Sequence, residues 1–144
     1  MKGALLNRPL YRSRDLEFCK LVLRELDVSM QSHGMTADYT TITSIEHIMP
    51  QTLDRAWKEY LGEDVDSDEY DRLINTIGNL CLVSASANSS YSNHPFQQKL
   101  ESYSDLTALV RDVKENHANW RYEDIRQRSS RLAERAIEVW NWNE

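Results

Sequence analysis

Residues 44–51 read Ser-Ile-Glu-His-Ile-Met-Pro-Gln, which sets a carboxylate and an imidazole side by side in an apolar run that Pro50 stops. The two groups are complementary. A neutral imidazole, with an ordinary pKa of about 6.5, takes a proton from water near neutral pH. A carboxylate is a hard oxygen ligand of the kind that Mg2+ or Mn2+ prefers. The pair therefore predicts a metal ligand, Glu46, next to a water-activating base, His47. Each has a plainer reading too: His47 as a structural or surface histidine, Glu46 as a helix cap or ion-pair partner.

Positioning both groups at one site makes a demand on the backbone. Adjacent residues on a regular strand point to opposite faces, so the strand must bend or end near His47, as Pro50 allows. The β-branched and aromatic residues of 38–48 predict that strand. A second short strand is expected over 79–86, after Gly78. Residues 87–100 read as a polar helix or helical turn interrupted near Pro95. Between the strands lies an acidic insertion, 53–74, with a short helix closed by Gly62 and a helical turn around Tyr70, Leu73 and Ile74. Upstream, Leu16, Cys19, Leu23 and Leu26 recur at helical spacing and predict a helix over 14–28. Downstream, helices are expected over 104–141, the last from about Tyr122 to Trp140.

Composition sets outer limits. The chain has 144 residues, 40% hydrophobic and 28% charged, as a soluble globular domain would. No run of 18 apolar residues predicts a membrane span, and the opening stretch lacks the apolar core of a secretory signal. Cys19 and Cys81 are too few for a disulfide framework or a zinc finger, so a cytoplasmic location is expected. The net charge of −6 is concentrated: residues 53–72 hold eight acids against three bases. An acidic insertion can sit away from a nucleic acid, because binding follows the local field.

The element order is strand with Glu-His, strand, then a polar helix bearing Asn88. With it, "IEHIMPQ", "NTIGNLCLVSASANSSYSN" and "FQQK" resemble the HNH, or ββα-metal, endonucleases. More narrowly they resemble the nuclease domain at the C-terminal end of GmrSD-type modification-dependent restriction proteins. The stretch "RYEDIRQRSSRLAERAIEVW" is similar to the closing helix of that group. The resemblance spans residue 40 to the end, and the helix at 14–28 is compatible with it.

The resemblance implies an α+β, mostly helical fold: one domain over 1–144, with a ββα-metal core at about 40–100 and surrounding helices. It implies a general base at His47 and a residue at Asn79 that steadies the loop holding it. Glu46 and Asn88 would hold Mg2+, or Mn2+, and Asn93 and Lys99 would touch the phosphate backbone. The pattern is thus H-N-N rather than H-N-H. Plainer readings remain for Asn79 (a turn), Asn88 (a helix cap) and Lys99 (a solvated cation).

The implied activity is metal-dependent DNA endonuclease, leaving a 5′-phosphate and a 3′-hydroxyl, within a restriction or anti-phage system. The implied partner is a nucleotide-hydrolysing, modification-sensing portion, either N-terminal or a separate protein. With four glycines in all, the chain shows no glycine-rich phosphate loop of its own. A non-catalytic nucleic-acid- or protein-binding module of the same fold, and an RNA nuclease, stand as alternatives. Outside the motif, Trp57, Trp120, Trp140 and Trp142 are expected to pack, and His94 to lie at the surface. His33 and His117 are background, and the arginines of the last helix should pair locally, Asp124 with Arg128 and Arg131 with Glu134.

Overall fold

The computed structural model describes residues 2–31, 37–62, 66–104 and 107–140. Within them the chain runs α1 (Lys2–Asn7), α2 (Leu16–Met30), β1 (Ser44–His47), α3 (Arg55–Leu61), α4 (Ser67–Leu73), a 3-10 turn (Ile77–Asn79), β2 (Leu80–Val83), α5 (Ala85–Tyr91), α6 (Phe96–Ser102), α7 (Ala108–Asn116) and α8 (Tyr122–Trp140). The architecture is mostly helical α+β: eight helices and one two-stranded antiparallel sheet among the described residues.

The helices form where apolar spacing and caps agree. On α2, Cys19, Val22, Leu23, Leu26 and Asp27 are buried, the i, i+3, i+4, i+7 stripe of an amphipathic helix. On α8 the buried face is Ile125, Arg128, Ser129, Leu132, Ala133 and Ala136. Asp54 caps α3 by accepting from Trp57 N–H at 3.0 Å, and α3 ends at Gly62, whose φ of +93° favours glycine. Asp66 caps α4, accepting from Asp68 N–H and Glu69 N–H, and the acids of the first turn suit the helix dipole.

β1 and β2 pair antiparallel, with Ser44 opposite Val83, Ile45 opposite Leu82, Glu46 opposite Cys81 and His47 opposite Leu80. All four β2 residues are buried, so this short sheet is a core element with helices around it. The turn Ile77–Asn79 packs so closely on α8 that only glycine fits at position 78. Gly78 N–H donates to Ser129 Oγ at 2.9 Å, and a methyl group there would collide with the Ile125 carbonyl and the Ser129 hydroxyl. Arg128, fully buried beside it, spends its guanidinium on Gly78 O and Leu80 O (2.9 and 3.0 Å), Leu109 O, Cys81 Sγ and Asp112.

Several expectations change in detail. The predicted strand at 38–48 shrinks to Ser44–His47 because Asp38 folds the preceding residues into a turn, its Oδ1 accepting from Thr40 N–H at 3.0 Å. The interruption expected near Pro95 within 87–100 is present, with two helices, α5 and α6, parted at Ser92–Pro95. α1 had no sequence signal at all. Arg128 and Arg131 do not pair along α8 as expected but both reach Asp112 across the fold, while Arg126 with Glu123 and Arg135 with Glu138 do pair along the helix. Asp124 serves His117 and the Arg121 N–H instead. His117 is therefore a buried structural residue. Trp57 and Trp120 are buried as expected, and Trp140 packs against the core; Trp142 and His33 lie outside the described residues.

Candidate active site

β1 ends at His47, and the next three residues turn away from the sheet. Four consecutive carbonyls of that turn are held by side chains from elsewhere. Lys99 Nζ donates to His47 O (2.9 Å) and Ile48 O (3.0 Å). Asn79 Nδ2 donates to Met49 O (2.9 Å), and Tyr70 OH donates to Pro50 O. Asn79 does more: its Oδ1 accepts from Met49 N–H (2.8 Å) and Trp120 Nε1–H (2.9 Å), and its Nδ2 also reaches Ile74 O (2.9 Å). The carboxamide thereby uses every donor and two acceptor sites it has.

A polar cavity of about 290 Å3 opens beside this turn, walled by Ile45, Glu46, His47, Pro50, Gln51, Thr52, Asn88, Ser92 and Asn93. Four residues singled out in the sequence, Glu46, His47, Asn88 and Asn93, thus meet around one space. α5 brings Asn88 to it, started by Ser84, whose Oγ accepts from Ala87 N–H at 3.2 Å. Ser92, between α5 and Asn93, has φ +43°, a costly backbone conformation for a residue with a Cβ.

Glu46 and His47 are anchored on different sides but both border the cavity. Tyr103 OH donates to Glu46 Oε2 at 2.9 Å, and Lys99 Nζ donates to Oε1 at 3.2 Å. Burial still wins over these partners and pushes the carboxyl up to about 7. His47 is 7% exposed. Its Nε2 lies 2.9 Å from Asn75 Oδ1, and the ring of Tyr11 meets it edge-on with centroids 4.5 Å apart. Burial pulls its pKa down to about 4, so the ring is neutral at pH 7. With Asn75 Oδ1 accepting, Nε2 carries the proton and Nδ1 keeps its lone pair. Nδ1 has no protein partner among the described residues.

The donor set fits a hard divalent cation. Two of the four acceptor positions of a carboxylate are used in Glu46 by Lys99 and Tyr103, leaving others for an ion. The Asn88 carboxamide has no protein partner among the described residues, and the cavity wall is rich in oxygen donors. Among the described residues no group of three or more His, Cys, Asp or Glu gathers as a metal cluster. A cation would rest on one carboxylate, one carboxamide and water.

Lys99 is the misplaced expectation. It is fully buried, bonded to Glu46 and two carbonyls, and an ammonium so enclosed does not reach a phosphate backbone. Asn75 and Tyr11 are the residues that sequence reasoning passed over. Asn75 had a faint signal, four residues before Asn79 in the same Asn-Thr-Ile-Gly-Asn run; Tyr11 had none.

The chain belongs to the family of GmrSD restriction endonuclease C-terminal domains, whose model matches residues 1–135. No curated protein and no solved structure gives a significant match. Membership ties the chain to restriction endonucleases, and so to nuclease function with DNA as the substrate class. Among the described residues no helix is long and apolar enough to cross a membrane.

Proposed function

We propose that residues 1–144 form one HNH-type (ββα-metal) domain that hydrolyses DNA phosphodiesters with a divalent ion, Mg2+ or Mn2+. The observation that carries this reading is that Glu46 and His47 of β1 border the same polar cavity as Asn88 and Asn93. His47 acts as general base: Nδ1 takes a proton from water as the water oxygen attacks phosphorus. The bond from phosphorus to the 3′ oxygen breaks, leaving a 5′-phosphate and, once that oxygen is protonated, a 3′-hydroxyl. Glu46 and Asn88 hold the cation, which when bound neutralises charge developing on the phosphate. Asn79 fixes the turn that carries His47, and Asn93 orients the phosphate backbone. Lys99 orders Glu46 and the turn from behind.

Within a restriction system, the control of cutting would come from a nucleotide-hydrolysing, modification-sensing portion joined to or associated with this domain, acting in the cytoplasm against foreign DNA. That rests on the family alone.

The test is nicking of supercoiled plasmid. With Mg2+ the wild-type chain nicks, and His47→Gln, which keeps a polar side chain on Asn75, loses about 100- to 10,000-fold in rate, the usual contribution of a general base. Asn88→Ala should need far more Mg2+ for the same rate. Undiminished cutting by His47→Gln defeats the assignment. Metal-independent duplex binding with no cutting by any form favours the non-catalytic module instead.

A further inference from the structure

We propose that residues 8–14 are a strap for the phosphates of duplex DNA, laid alongside His47. The inference rests on the nuclease reading and adds where the substrate backbone is gripped.

Charge is the first observation. Residues 1–14 contain Lys2, Arg8, Arg12 and Arg14 and no acid, while the remainder of the chain has 13 bases against 23 acids. A chain of net charge −6 repels DNA unless a local field overrides the total. This segment is the place where bases gather without acids.

Position is the second. Leu10 N–H and Tyr11 N–H both donate to Asn75 O, at 2.8 and 3.0 Å. Leu10 is buried, and the Tyr11 ring rests against His47. The same Asn75 holds His47 Nε2 through its side chain. The segment is therefore pinned at its middle to the residue that orients the base. Arg8, Arg12 and Arg14 lie within three residues of Tyr11. At about 3.8 Å between successive Cα atoms, each Cα is at most about 11 Å from that of Tyr11. Phosphates on one strand of a duplex advance by about 3.4 Å of axis, so the three arginines are within reach of the phosphates flanking the one to be cut.

Availability is the third. Leu10, buried, and Tyr11, half-buried against the core, anchor the segment, while Arg8, Arg12 and Arg14 are exposed. Among the described residues none of the three has an acidic partner; Arg12 Nε donates to Pro9 O at 3.2 Å and keeps its outer nitrogens clear. Arg126, Arg128 and Arg131, by contrast, are committed to acids. A planar guanidinium is the side chain best shaped to grip a phosphate with two parallel bonds.

The experiment measures binding of a fluorescent 30-base-pair duplex across a KCl series without Mg2+, with every protein carrying His47→Gln so that cutting is slowed at least about 100-fold. Adding Arg8→Gln, Arg12→Gln and Arg14→Gln should lower the slope of log affinity against log salt by about 2.7, or about 0.9 for each residue alone. Affinity near 0.1 M salt should weaken at least about tenfold, with the melting temperature unchanged because the three side chains are exposed. In the wild-type His47 background the triple variant should nick plasmid slowly at that salt and recover as salt is lowered. If the wild-type chain nicks plasmid but the triple variant binds with an unaltered salt slope, the strap is refuted and the nuclease reading stands. If the wild-type chain neither binds nor cuts DNA, the nuclease reading fails and the strap falls with it.

Discussion

Replacing Asn79 by alanine should cost more stability than any surface change and should do so through polar groups, not apolar area. The carboxamide makes four bonds, to Met49 N–H, Met49 O, Ile74 O and Trp120 Nε1–H, all between 2.8 and 2.9 Å. Truncation strands two buried donors and two buried carbonyls. A stranded buried donor costs about 1–3 kcal/mol; carbonyls, with a second lone pair, cost less. Water entering the vacated space returns part of this. The expected loss is about 4 kcal/mol, a large share of the roughly 5–15 kcal/mol that holds a domain folded. For a chain of this length that lowers Tm by about 8–16 °C.

Urea unfolding followed by tryptophan fluorescence and by circular dichroism measures it, with an unchanged m-value as the sign that the unfolded state is not responsible. Asn79→Asp sharpens the point. It keeps both acceptor bonds but sets carboxylate oxygen against Met49 O and Ile74 O. Protonation lets one of those contacts become a bond again, so this variant should regain stability relative to wild type as pH falls. A loss below about 1 kcal/mol for Asn79→Ala, or an Asn79→Asp variant indistinguishable from wild type at all pH values, would refute the clamp.

Lys99→Met should destabilise by about 3–5 kcal/mol, since it leaves Glu46 buried without its counter-charge; the salt dependence of DNA binding should not move, and a changed slope would return Lys99 to the phosphate backbone. Ser92→Gly should raise stability by about 1 kcal/mol by relieving the positive φ, read as a higher urea midpoint. Burial pushes the thiols of Cys19 and Cys81 up to about 12. Native protein at pH 8 should therefore be inert to a thiol reagent that labels both after unfolding. The folded pKa lies above the unfolded value of 9.0, so these thiols favour the native state below that pH and withdraw that support as pH rises from 9.0 toward 12.

Periodicity carried the long elements well. α8 falls on Tyr122–Trp140 as the apolar face foretold, and the strand-strand-helix order around the Glu-His pair is present. The misses have local or tertiary causes. β-propensity over 38–43 lost to the Asx turn of Asp38, a competition between side-chain and ladder hydrogen bonds that composition does not resolve. Six residues of α1, with a glycine among them, hold no full apolar stripe; the helix is tied to α8 in part through Lys2 and Glu134. Lys99 reads as a surface cation because lysine usually is one. Only the meeting of α6 with β1, over 53 positions of sequence, encloses it. Asn75 and Tyr11 owe their place beside His47 to the same kind of long-range contact, which no motif spacing encodes.

The reach of the Asn79 and Gly78 contacts to Trp120 and α8 bears on how this cutting unit can be moved between proteins. A fragment trimmed to the strands and the helix bearing Asn88 would keep every group facing the cavity, yet lose Trp120, Arg128 and Ser129, which brace its floor from 40 or more residues downstream. Such a minimal graft should be a poor scissor. Fusions that retain Trp120 and the final helix keep those braces, and those that also retain Tyr11 give the histidine its full scaffold.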